Sequence, residues 1–512
     1  MGSSIVRNIL GALVLVILSF IIGIMAADSA KQAAIIIIGI VGVAGVVAIG
    51  KNAWMLLFIL VPIGQAIPVY QLPWYFVFVA VLLIYWCFLA IAGHAHFTWR
   101  KLLSADLFVL IFLAYMAITI YRHPASSNII NNFLGIKTDL VTTGLEYPLC
   151  VAALIFYLAY SCIPFEKKYF LKVIHWGVIL KLIFLFLVAV AGYNTQVEET
   201  SVSLFDSGAP TQYVRFGMFT TFAFNLCVFV YASAPFRQII TSYSKVFILL
   251  VSLALVLLSG FRNRLLRLGI IMAGIMIIKK EYWIIATGIA TIVFAVLFIN
   301  ITNTTDALPY TVQRTLAGIP GVQVNNKLKA ETSGSNEWRY AMWRWALDSR
   351  TNYIRDYVWG DGCTLNTRVH KRNNRSIARN KLNPKTREYG AQVRAWHSGF
   401  ISVLQELGII GLTLTFIGHI YAFVMTIRIG SALRKTPYLK YFLVYTHNFI
   451  QNVITFYILP ASTQSFLISL AHFAFIKIFY KLAEEEGLIS PLFSSKKRYT
   501  PMLIQRQEAQ RA

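Results

Sequence analysis

The chain has 512 residues, of which 57% are hydrophobic and only 13% charged. That excludes a soluble globular protein, where charged residues are about a quarter of the total, and equally a disordered or fibrous chain. Lys and Arg number 46 against 21 Asp and Glu, a net charge of +25. In a membrane protein part of this is the ordinary cytoplasmic excess of Lys and Arg, so it does not call for nucleic acid.

A crossing takes about 20 apolar residues. The apolar runs predict spans at 8–27, 33–50, 53–70, 74–93, 105–121, 147–163, 170–193, 213–234, 243–260, 265–278, 281–300, 408–429, 438–458 and 462–482. The expectation is an all-α polytopic membrane protein with about 12–14 transmembrane helices. The first apolar segment reads as a retained helix, since no small-residue cleavage site follows it. Span 265–278 is the shortest, and Lys181 falls mid-span, which asks either for snorkelling or for a later span start.

Charge sets the orientation. With the N-terminus in the cytoplasm, the inside receives Arg7, Lys51, Arg100, Lys101, Lys167, Lys168, Arg237, Lys245, Lys279, Lys280, Arg434, Lys435, Lys440 and the tail with Lys496, Lys497 and Arg498. The short outer loops receive few, and loop 194–212 is acidic. This obeys the positive-inside rule and places both termini in the cytoplasm. The chain then divides into an N-terminal transmembrane bundle (1–300), one external loop domain (301–397), C-terminal transmembrane helices (398–483) and a basic cytoplasmic tail (484–512).

The external segment contains Trp338, Trp343, Trp345, Trp359 and Trp396, too many aromatics for a spacer. Residues 337–348 carry a helical apolar stripe, whereas 366–388 read as a basic loop. Over 301–397 the surplus is nine positive charges. Topology does not require them on that side, so they imply an anionic partner.

Three arginines, Arg262, Arg264 and Arg267, crowd the outer start of one span. A guanidinium fork matches phosphate oxygens bidentately; a lone arginine at a helix end would more often snorkel to headgroups. Arg215 lies at another outer span end. Arg339 lies on the external helix, four residues before Trp343. His397 sits where the chain re-enters the membrane, and an imidazole near its ordinary pKa can act as a general base. His175, His419, His447 and His472 lie within spans and read as packing or hydrogen-bonding residues. No Asp or Glu falls mid-span, as ion-coupled transport would favour. The five cysteines form no CxxC pattern, and no metal-ligand spacing occurs, so neither metal nor cofactor is expected.

In this order the motifs resemble the O-antigen ligase and polymerase family. Ser-Gly-Phe-Arg at 259–262, Arg339-x-x-x-Trp343, Gly360-Asp361-Gly362, and His397 followed by Glu406-Leu407-Gly408-Ile409-Ile410-Gly411 are similar to the family's signatures, as is Arg215-Phe216-Gly217. Two departures stand out: Phe261 where the family has Ser before its Arg, and Ser398 where it has Asn after its His. The resemblance implies a GT-C-like bundle and an inverting, metal-independent glycosyl transfer at the outer face of the cytoplasmic (inner) membrane. The donor would be a glycan on undecaprenyl pyrophosphate; the acceptor a hydroxyl of lipid A core, another glycan or a protein. His397, Arg262 and Arg339 would be catalytic, and Arg215, Arg264, Arg267, Trp343, Gly360 and Gly362 substrate-binding. A polymerase with the same donor is the nearest alternative, and a lipid-linked glycan flippase the alternative from another class.

Overall fold

The computed structural model describes residues 55, 84–85, 87–93, 107–123, 167–190, 195–199, 212–259, 262–302, 304–317, 319, 321–324, 326–351, 353–363, 396, 398–458 and 463–489. The predicted spans 8–27, 33–50 and 147–163, the basic stretch 366–388, His397 and the tail beyond Ile489 lie outside them.

The protein is an all-α membrane protein with one small β-ribbon. Among the described residues the helices are α1 (Leu107–Arg122), α2 (Lys167–Val190), α3 (Gly217–Ser233), α4 (Phe236–Ile240), α5 (Tyr243–Leu258), α6 (Arg262–Lys279), α7 (Tyr282–Thr302), α8 (Tyr310–Leu316), α9 (Asn326–Leu347), α10 (Gly399–Leu433), α11 (Leu439–Ile458) and α12 (Thr463–Glu485). Among the described residues three helices, Tyr169–Leu187, Tyr282–Thr302 and Gly399–Leu433, are long and apolar enough to cross a membrane. α1, α3 and α5 contain shorter apolar helices.

In the main core cluster of the described residues α3 packs against α2, α5 and α11, while α10, α11 and α12 pack on one another. Phe112, Phe170, Phe442, Phe449 and Phe456 are fully buried there. α7 buries almost nothing and shows Ile289, Phe294 and Phe298 outward, as a lipid-facing helix does.

Two expectations change. The acidic loop 194–212 is flanked by an antiparallel ribbon, β1 (Thr195–Glu199) with β2 (Gln212–Phe216), in which Gln196 faces Arg215 and Glu198 faces Tyr213. Val197, Tyr213, Val214 and Phe216 are strand formers, so a short pairing outcompetes irregular chain. Lys181 does not snorkel. It is buried, with Nζ 3.5 Å from the Val444 carbonyl on α11. Three of the four span histidines make hydrogen bonds within the bundle: His175 Nδ1 bonds Tyr441 (2.8 Å), His419 Nδ1 bonds Tyr457 (3.0 Å) and His447 Nδ1 bonds the Val444 carbonyl (2.8 Å); the side chain of His472 lies outside the described residues.

Basic residues gather at one end of the bundle. Lys279 donates to the carbonyls of Tyr231 (2.8 Å) and Ala234 (2.6 Å) and pairs with Glu281. Lys440 lies over the Phe229 and Tyr441 rings, and Lys167 pairs with Glu486 beside Tyr438. The described residues of 301–397 reach the tips of α1, α5 and α10 at the other end.

Candidate active site

The most constrained region lies where α10 begins. Ser398 caps it, its hydroxyl accepting from the Ile401 amide at 3.4 Å. The helix runs as one element from Gly399 to Leu433 but breaks at Gly408, whose φ of 64° and ψ of −170° are open to glycine and costly for other residues. Residues 401 to 408 are all buried.

A helix broken inside a protein leaves amides and carbonyls that need new partners. Here the segment 353–363 supplies them in reciprocal pairs. The Ile409 amide donates to the Tyr357 carbonyl (2.8 Å), and the Gln405 carbonyl accepts from Asp361 (2.7 Å). The Ile410 amide donates to the Val358 carbonyl (3.4 Å), and the Glu406 carbonyl accepts from Gly362 (3.0 Å). The Leu407 carbonyl accepts from the hydroxyl of Tyr115 on α1 at 2.6 Å, which also lies 3.0 Å from the Trp359 carbonyl.

This seam explains the Gly-Asp-Gly motif. Gly360 and Gly362 have φ of 81° and 75°. A Cβ on Gly360 would strike the Glu406 carbonyl, and one on Gly362 would strike His123. Asp361 between them accepts from the amides of Arg355 (3.2 Å) and Asp356 (3.0 Å). In the turn 356–359, Asp356 Oδ1 accepts from Val358 (3.0 Å) and Trp359 (2.9 Å), and Oδ2 pairs with Arg122 at 2.9 Å. The Trp359 amide first, then Arg122 and the Val358 amide, hold the Asp356 carboxyl below the usual carboxylate range, against a smaller upward push from burial.

A second brace joins α9 to the same place. Met342, Ala346, Trp396 and Ile401 form a buried cluster. Trp343 Nε1 donates to the Trp396 carbonyl at 2.9 Å. Trp396 Nε1 donates to Gln405 Oε1 at 2.7 Å, and Gln405 Nε2 donates to the Tyr353 carbonyl at 2.8 Å. Trp396 is therefore held at both ends, and Ser398 is fixed as a cap. His397 falls between them. Arg339 lies four residues before Trp343, one turn and about 6 Å along α9. Partial burial lowers its pKa from the ordinary guanidinium value.

The remaining arginines belong to α6. The helix starts at Arg262, earlier than the apolar run suggests, so Arg262, Arg264 and Arg267 occupy its first two turns rather than a loop. Arg264 and Arg267, three residues apart, share a face and are partly buried. The helix N-terminus adds partial positive charge there. The short helix α8 packs on α5 and α6, with Thr315 Oγ1 donating to the Leu257 carbonyl at 3.0 Å, which carries Arg314 to the same tips. α6 and α10 meet near their C-terminal ends, at Ile278 and Gly430. Arg215 lies in β2, two residues before α3.

The structure thus brings Trp343, Gly360, Gly362 and both neighbours of His397 into one assembly, with Arg339 one turn away. Trp343, Gly360 and Gly362 bond or pack against protein there. Tyr115, Asp356, Gln405 and Arg314 escaped the sequence reading; a tyrosine in an apolar span or a glutamine beside one carries no signal of its partner. Among the described residues no group of three His, Cys, Asp or Glu side chains could hold a metal ion.

A family model described as O-antigen ligase matches residues 242–416, from the start of α5 to the middle of α10. Residues 242–416 belong to the O-antigen ligase family. The matched stretch contains the α6 arginines, Arg339, the Gly-Asp-Gly turn and the kink at Gly408; Arg215 and Tyr115 precede it. No curated protein matches the chain. The O-antigen ligase domain makes this a bacterial membrane protein of the ligase or polymerase type, acting on lipid-linked glycans and their acceptors.

Proposed function

We propose that the protein transfers a glycan from undecaprenyl pyrophosphate to an acceptor hydroxyl at the outer face of the inner membrane, without a metal and with inversion at the sugar. In this reading 301–397 is the external domain, the 1–300 and 398–483 helices form the bundle, and the termini and the 484–512 tail are cytoplasmic. The lysines gathered at the opposite end support that orientation.

The observation that carries the proposal is the bond from Trp343 to the Trp396 carbonyl. It ties the helix bearing Arg339 to the residue next to His397. His397 takes the proton of the acceptor hydroxyl, whose oxygen attacks the anomeric carbon. The carbon–oxygen bond to the diphosphate breaks on the opposite face, which inverts the configuration. Charge grows on the leaving diphosphate, and fixed guanidiniums stabilise it. Arg262 and Arg339 act there, with Arg215, Arg264 and Arg267 binding the headgroup. Trp343, Gly360 and Gly362 serve the substrate site by shaping it.

The test is transfer in proteoliposomes given lipid-linked glycan and acceptor, with no energy source. His397→Ala and Arg339→Ala are expected to abolish product while leaving the protein folded. Full activity of His397→Ala would remove the base. A product that grows only when the acceptor is another lipid-linked glycan would mark a polymerase, and movement of the lipid with no bond change a flippase.

A further inference from the structure

We propose that the turn 356–359 is a lipid anchor: Val358 and Trp359 sit in the headgroup–acyl boundary of the leaflet on the external side and fix the height of the external segment on the membrane. The proposal rests on the chain crossing a membrane and is independent of the transfer chemistry.

Past its break at Gly408, α10 exposes the apolar residues Ile409, Phe416, Ile417, Ile420, Phe423 and Val424. Their spacings of seven, eight, eleven, fourteen and fifteen from Ile409 place them on one side of an α-helix. On a helix that crosses a bilayer, an exposed apolar stripe is the lipid face. It begins at Ile409, the first residue past the break.

The turn continues that stripe beyond the helix. The Ile409 amide bonds the Tyr357 carbonyl and the Ile410 amide the Val358 carbonyl, so Val358 and Trp359 lie directly against the first lipid-facing turn. Val358 is 51% exposed and Trp359 41%. Their exposure is not that of a slack loop. Asp356 caps the turn from within, and Tyr115 holds the Trp359 carbonyl.

α1 supplies the second side. It shows Ile111, Ile118 and Tyr121 outward, and Tyr121, at its outer tip, is 89% exposed. The next residue, Arg122, places its guanidinium 5.5 Å from the centre of the Trp359 ring, and the Tyr115 ring stacks on the other aromatic at 6.1 Å. Tryptophan, tyrosine and arginine at the end of an apolar helix are the composition of a membrane interface, where an amphipathic ring has its body in the acyl region and its edge among headgroups. Continuity with two lipid-facing helices favours lipid over a protein partner as the cover.

The anchored turn is bonded to the strand of backbone that carries Gln405 and, through it, Trp396. The bilayer surface and the braced end of α10 therefore share one rigid seam.

The test compares tryptophan emission of the full chain with that of Trp359→Phe, both in nanodiscs of phosphatidylethanolamine and phosphatidylglycerol; the difference spectrum belongs to Trp359. Lipids brominated high on the acyl chain should quench it about two-fold and aqueous acrylamide little, as for an interfacial indole. Should Trp359→Phe fail to fold, Val358→Trp gives the same reading as added emission. Quenching by acrylamide but not by brominated lipid would place the turn in water, and quenching by neither would put it under protein; either result overturns the proposal.

Discussion

Gly360 and Gly408 pack backbone to backbone: a Cβ on either would run into the amide nitrogen of the other. They are 48 residues apart in the sequence, and both have positive φ, 81° and 64°. The pair closes the seam between the segment 353–363 and α10.

Alanine at either position should be severely destabilising. Positive-φ backbone of this kind costs a non-glycine residue about 1–3 kcal/mol, and forcing a methyl into filled space adds about 1–3 kcal/mol. Gly408→Ala and Gly360→Ala should each lower the midpoint of thermal unfolding in detergent, with loss of the monodisperse peak on size exclusion. A control at Gly269 or Gly288, where a Cβ meets nothing within 4 Å, should be nearly neutral. An unchanged midpoint for Gly408→Ala would contradict the close approach.

These glycines and Tyr115 differ in how much of their role the sequence carries. Gly-Asp-Gly and Gly-Ile-Ile-Gly stand out because glycine is the residue of close approach, and the family pattern marks them as important. What they approach could not be read, since the partner of each is the backbone of the other, and backbone has no sequence signature. The α6 arginines were legible from charge out of place, although the helix begins at Arg262 rather than after the group. Trp343 stood out because its spacing to Arg339 matches a motif; that its indole bonds the Trp396 carbonyl could not be read from spacing. The membrane class was plain from composition, whereas the ribbon at 195–216 was hidden by three acidic residues that suggest an irregular loop.

Tyr115 tests whether α1 takes part in holding the site. Its hydroxyl satisfies the carbonyl that Gly408 frees at Leu407. Removing one partner of a buried hydrogen bond costs about 1–3 kcal/mol, so Tyr115→Phe should destabilise the protein by that order. It should also speed amide exchange at 409–411 and 357–362 before the rest of the bundle. Uniform exchange in the variant would mean that the bond is not a local bolt.

Trp343→Phe keeps an aromatic ring against Met342 and Trp396 and removes only the N–H and part of the ring. A stability loss of about 0.5–1.5 kcal/mol is expected. If the Trp396 carbonyl orients the chain at His397, transfer should fall through kcat, with KM for the lipid donor nearly unchanged. A variant that raises KM and preserves kcat would assign Trp343 to substrate binding instead.

The carboxyl of Asp356 gives the seam an acid-sensitive element. Its folded pKa is depressed, chiefly by the Trp359 amide and then by Arg122 and the Val358 amide. A group of this kind contributes stability that is fully present above its unfolded pKa of about 4 and is lost as pH falls through the lower folded value. From neutral pH to about 5 the turn should therefore hold. Below that range Asp356 takes up a proton, the pair with Arg122 loses its charge, and the ring of Trp359 is freed from two of its supports. Amide exchange at 356–359 should rise in acid for the wild type. Asp356→Asn should show faster exchange already at neutral pH, and a flatter acid response over the same window. If the two proteins respond to acid alike, another carboxylate governs the turn.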